Sequence, residues 1–148
     1  AQAAVCARDA HAALAVVTDA GERDNVHPID KETVGNRLAD QILHGAYGQD
    51  LDVALDAPQS ASREGNALVL RFGTALSARG PEVRGFQLRG ADGVWRWARA
   101  EIAGPTVRLT APGLEAPAAA RYDLTNWVEG NVYQANGIPL PPFAAEAV

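Results

Sequence analysis

Apolar positions change their spacing once along this chain, near Tyr47-Gly48, and the patterns on the two sides predict different structures. Before that point, Ala1 to about Asp9 is alanine-rich with Val5 and Cys6 as its apolar points, which predicts the last turns of a helix. Ala12 to Val17 is a continuous apolar run ending in Thr18-Asp19, the pattern of a parallel strand buried on both faces. Asp30 is placed to cap a further helix with Glu32 in its first turn. Along that helix Val34, Leu38 and Ile42, with Ala39 and Leu43, make one apolar stripe, and Gly45 supplies the stop. Strand, loop and helix in this order predict the last βα unit of an open α/β sheet, in which sites lie beyond the carboxyl ends of the strands.

After Gly48 alternation takes over: Leu51/Val53/Leu55, Leu68/Leu70/Phe72, Phe86/Leu88, Trp95/Trp97, Val107/Leu109 and Tyr122/Leu124. Gly65-Asn66, Gly80-Pro81, Ala91-Asp92-Gly93, Gly104-Pro105 and Pro112-Gly113 punctuate these runs, and Asp92-Gly93 is a hairpin signal. Five to seven short strands at roughly this spacing predict an antiparallel β-sandwich, jelly-roll-like. Asn131 to Phe143 reads as a loop-like tail. The predicted division is therefore residues 1–48, a βα portion, and residues 49–148, a β region with its tail.

Composition narrows the class. With 47% hydrophobic and 21% charged residues, 148 residues can bury a real core. A net charge of −5 with no basic stripe argues against a nucleic-acid groove, and no apolar run approaches the roughly 18 residues of a membrane helix. The absence of methionine leads us to expect a processed product, a proteolytic fragment or one piece of a longer chain. Cys6 is the one cysteine, so no internal disulfide forms, and it reads as a small hydrophobe on the first helix.

The candidate chemistry lies between the predicted strand and helix, at Asp24-Asn25-Val26-His27-Pro28. A carboxylate three residues before a histidine can hold the imidazole in one tautomer and steady it as it accepts a proton. The same spacing also serves an Asx turn with no chemistry at all. Ser60, Ser62 and Ser77 are the only serines and none stands in a strand-to-helix elbow, so a nucleophile is not expected in this chain. His11 and His44 read as surface residues. No side chains stand at metal-ligand spacing, and neither metal nor cofactor is expected. Trp95 and Trp97 point the same way from one strand, either into the core or outward as a sugar-stacking platform. Trp127, in a loop, lines a groove or packs.

The run from Asp19 to Ala39, Asp-Ala-Gly-Glu-Arg-Asp-Asn-Val-His-Pro-Ile-Asp-Lys-Glu-Thr-Val-Gly-Asn-Arg-Leu-Ala, resembles the last conserved block of the sialate O-acetylesterase family of SGNH hydrolases. The likeness continues at Tyr47-Gly48, at Gly85 to Leu88 with Gly90 to Gly93, at Arg121-Tyr122 and from Asn131 to Phe143. Asp30 stands where the family often has Asn. The resemblance implies an SGNH-type, flavodoxin-like parallel sheet and a serine esterase that removes acetyl groups from sugar hydroxyls, with Asp24 and His27 as the acid–base members of its triad. It further implies that the serine and oxyanion hole belong to an N-terminal polypeptide of the same enzyme and that the setting is periplasmic or secreted. The substrate it implies is acetylated sialic acid or a plant hemicellulose such as xylan or xyloglucan. The reading from a different class is a non-catalytic carbohydrate-binding β-sandwich with a degenerate hydrolase remnant.

Overall fold

The computed structural model describes residues 2–6, 8–127 and 129–148, which divide after Ala54 into two compact units. The first contains helices α1 (Gln2–Cys6) and α2 (Lys31–Tyr47). Residues 1 and 7 of the predicted first helix lie outside the described residues. Asp30 caps α2, its carboxylate accepting the Thr33 N–H at 2.9 Å. The helix continues through Gly45, which was expected to stop it, and ends where Gly48 turns left-handed at φ 68. The Gly48 and Gln49 N–H groups then reach the carbonyls of His44 and Leu43 at 3.1 and 3.0 Å. A glycine inside a helix costs some stability but does not end it; the left-handed residue beyond the last turn does.

The expected parallel flavodoxin-like sheet is not there. Among the described residues, 12–17 form no strand and every strand pair is antiparallel. An apolar run of this length reports burial, not hydrogen-bond partners, and a parallel strand exists only with neighbours brought beside it by a crossover. Leu51, Val53 and Leu55 form no strand either. The Leu51 and Val53 N–H groups bond instead to carbonyls two residues back, Gln49 at 3.0 Å and Leu51 at 3.1 Å.

The second unit, Leu55–Val148, is a β-sandwich-like body whose described residues form ten strands: β1 (Ser60–Glu64), β2 (Ala67–Arg71), β3 (Leu76–Ala78), β4 (Phe86–Arg89), β5 (Trp95–Trp97), β6 (Arg99–Ala103), β7 (Thr106–Thr110), β8 (Ala119–Tyr122), β9 (Val132–Gln134) and β10 (Phe143–Glu146). Two four-stranded sheets run in the orders β1-β2-β7-β6 and β10-β8-β4-β5, and β3 and β9 pair as a separate short ribbon. Leu68, Leu70, Val107 and Leu109 from the first sheet meet Phe86, Leu88, Ala120 and Tyr122 from the second in one core. Phe86 and Tyr122 pack with their rings tilted, 4.6 Å between centroids, and Phe143 closes on Phe72 at 5.8 Å. Two-residue loops at Gly65-Asn66 and Gly104-Pro105 set the β1–β2 and β6–β7 registers.

This pairing decides where the tryptophans point. Trp97 lies opposite Gln87, and Trp95 opposite Arg89, whereas Phe86 and Leu88 face the core, so both indoles stand on the outer face of their sheet. Trp95 is half-buried, with the Arg121 and Arg89 guanidinium carbons 4.5 and 5.1 Å from its ring centroid.

A candidate active-site loop

The segment between Asp19 and Lys31 has little regular structure, so its shape depends on side chains bonding to backbone. At its start, Asp19 and Arg37 of α2 form a two-pronged ion pair at 2.5 and 2.9 Å, and the same guanidinium donates to the Val16 carbonyl at 2.8 Å. Both side chains of that pair are largely buried. At its end the loop runs into the Asp30 cap.

Glu22 joins the middle. Its Oε1 accepts the Ile29 N–H at 2.8 Å and its Oε2 accepts the Asn25 amide at 2.9 Å. Asn25 in turn accepts the His27 N–H on its Oδ1 at 2.9 Å. A two-residue antiparallel bridge links Glu22 and Asn25 through the backbone. The bond from the Ile29 amide, and after it that from Asn25, hold the Glu22 carboxyl below the usual carboxylate range, so the acceptor is charged at neutral pH. Pro28 has no N–H to place. The backbone of His27-Pro28 is therefore fixed from both sides.

Asp24 and His27 sit on this loop with exposed side chains, and no hydrogen bond joins the one to the other. What the arrangement offers is a histidine on a braced backbone whose ring is open to an incoming group, with a carboxylate three residues away. Ser60 and Ser62 belong to β1 and Ser77 to β3, regular strands with no helix following them directly. The His11 backbone N–H donates to the Asp9 carboxylate at 2.9 Å, and His44 Nδ1 lies 3.1 Å from the Gln49 carbonyl at the end of α2. Cys6 is free and half-buried. Among the described residues no three His, Cys, Asp or Glu side chains converge as metal ligands, and no helix is long and apolar enough to cross a membrane.

Three contributors to the loop went unread in the sequence: Glu22, Asn25 and Arg37. Asn25 had a local signal, an amide two residues before the amide it accepts. Glu22 reaches seven residues and Arg37 eighteen, spans that no short motif covers.

In the second unit the outer sheet face presents Trp97, 59% exposed, beside the buried Gln87, whose Oε1 accepts from Arg121 Nε at 2.7 Å. Trp127 is half-buried, its carbonyl accepting from Thr125. A second carboxyl is unusual there. Asp123, at φ 50 and 5% exposed, is pushed up to about 6 by burial, against the lowering effect of hydrogen bonds from the Gly130 backbone and the Tyr122 hydroxyl.

No family model and no curated protein matches the chain. Among solved structures it is similar to the crystal structure of a carbohydrate acetylesterase from Xanthomonas citri, with 35% identity and a TM-score of 0.78 over 88% of this chain. The chain spans 32% of the length of that protein.

Proposed function

We propose that this chain contributes the acid–base pair of a carbohydrate O-acetylesterase whose nucleophilic serine and oxyanion hole come from an N-terminal polypeptide of the same enzyme. The observation that carries the reading is the likeness at 35% identity, over 88% of the chain, to a protein that is a carbohydrate acetylesterase. The braced loop supports the roles. The serine Oγ attacks the acetyl carbonyl as His27 takes its proton, and the collapsing intermediate expels the sugar alkoxide, to which His27 returns that proton. Water then attacks the acetyl-serine by the same route, releasing acetate. Asp24 turns toward His27 in the assembled site, orienting the ring and stabilising its charged form. The acetylated substrate is sialic acid or a hemicellulose such as xylan or xyloglucan, and the setting is periplasmic or secreted.

Kinetics of the assembled enzyme on an acetylated xylo-oligosaccharide test this. His27→Ala should lower kcat by about three to six orders of magnitude and Asp24→Asn by somewhat less, as is usual for triad members. A folded His27→Ala enzyme that keeps a tenth of the parent kcat would show that the base lies elsewhere. The second reading, a carbohydrate-binding β-sandwich without catalysis, draws on the exposed Trp97 beside Gln87 and Arg121, an aromatic face with polar groups at its edge.

A further inference from the structure

We propose that Glu22 is the positioning residue of the catalytic loop, holding the His27-Pro28 backbone in place through two carboxylate oxygens used in opposite directions. The proposal rests on the esterase reading above and adds to it a residue whose role neither spacing nor the comparison assigns.

The geometry has three parts. One oxygen accepts the Ile29 amide two residues after His27. The other accepts the Asn25 side chain, and so orients the Oδ1 that takes the His27 amide. Pro28 removes the one N–H between them and restricts its own φ, and, through its ring, the backbone of His27. Of the three amides at 27, 28 and 29, two are thus tied to Glu22 directly or through Asn25, and the third does not exist. A neutral side chain cannot do the same work. A glutamine at 22 could still accept from Ile29, but its NH2 would face the Asn25 NH2, and the relay to His27 would be lost.

A general base must meet its proton at hydrogen-bond distance, and a misplacement of about 1 Å costs up to about a hundredfold in rate. Loss of the brace therefore lowers kcat and leaves substrate affinity alone, because Glu22 touches neither the acetyl group nor the sugar in this scheme.

The test uses the assembled enzyme with 4-nitrophenyl acetate, so that sugar recognition does not enter, and reads kcat and KM separately. Glu22→Ala should lower kcat by roughly ten- to a hundredfold with KM within about twofold, and Glu22→Gln should fall between it and the parent. Hydrogen exchange on the same proteins should show faster exchange at His27 and Ile29 in Glu22→Ala, with the amides of α2 unchanged. Unchanged kcat in Glu22→Ala, beside an inactive His27→Ala, overturns the positioning role and leaves the esterase reading intact. Loss of protection throughout α2 would also overturn it, by making Glu22 a general structural residue. A fully active His27→Ala enzyme removes both the role and the reading beneath it.

Discussion

Glu22 and Asp123 carry the same functional group into contrasting surroundings. The first is exposed and accepts two hydrogen bonds, which favour its charge; the second is 5% exposed, and burial favours its proton. For Asp123 the consequence for stability has a definite sign. Its carboxyl titrates at about 6 when folded and near its ordinary 3.8 when unfolded, so between those values the folded chain holds more proton. Stability contributed by this residue is then lost as pH rises from 3.8 toward about 6, and the penalty persists above that. Glu129 adds to the upward shift, while the Gly130 amide and the Tyr122 hydroxyl oppose it. Asparagine tolerates the left-handed backbone at this position, keeps a carbonyl oxygen as acceptor and carries no charge to bury. Asp123→Asn should therefore raise the Tm of the second unit at pH 7.5 and change it little at pH 3.5. Thermal unfolding across that range reads the difference, and two parallel Tm curves would mean that Asp123 does not titrate as argued.

At the level of elements, burial separates the two apolar patterns that look alike in the sequence. Leu88 in β4 lies between β8 and β5 with no exposed surface, whereas Leu38 on the stripe of α2 is 49% exposed. Leu88→Ala should cost about 2 to 5 kcal/mol, the usual range for emptying a full core site, while Leu38→Ala in the isolated chain should stay within about 0.5 kcal/mol. Urea unfolding of the two variants checks the contrast, and equal losses would mean that the stripe is packed after all. The same distinction explains what was legible beforehand. β4, β5 and β7 announce themselves because large side chains alternate with polar ones, and β2 because it is a short apolar run. β6, Arg-Ala-Glu-Ile-Ala, alternates as well, but its buried position is an alanine that carries little signal. β10 follows Pro141-Pro142 and reads as a tail, yet Phe143 pairs with Tyr122 and completes the aromatic core. The run from Ala12 to Val17 misled in the other direction, since apolar continuity says nothing about whether neighbouring strands exist. In the loop, Asp24 and His27 were readable as a local spacing; the brace from Glu22 was not, because its partners are fixed only once the turn has closed.

On the scale of the whole molecule, the first unit leaves apolar surface in the open around the proposed base. Val26 and Ile29, on either side of His27-Pro28, are 88% and 83% exposed. Exposed apolar groups clustered near polar functional residues are a common mark of an interface. Under the esterase reading this surface meets the serine-bearing polypeptide, so completing the catalytic site and covering the apolar residues are one event. The isolated chain should then show no turnover of 4-nitrophenyl acetate, and titrating in the N-terminal polypeptide should restore hydrolysis at the concentration where an apolar dye leaves the chain. The carbohydrate-binding reading makes a different forecast. The isolated chain alone would bind xylo-oligosaccharide, Trp97→Ala would weaken that binding, and the added polypeptide would bring no acetate release. Calorimetry for the saccharide and acetate release for the ester thus separate the two: turnover that appears only on mixing and disappears with His27→Ala supports the first, and saccharide binding with no turnover under any mixture supports the second. Turnover by the chain alone, abolished by substituting Ser60, Ser62 or Ser77, would overturn the shared-site argument, because it would place the nucleophile on a β-strand of the second unit.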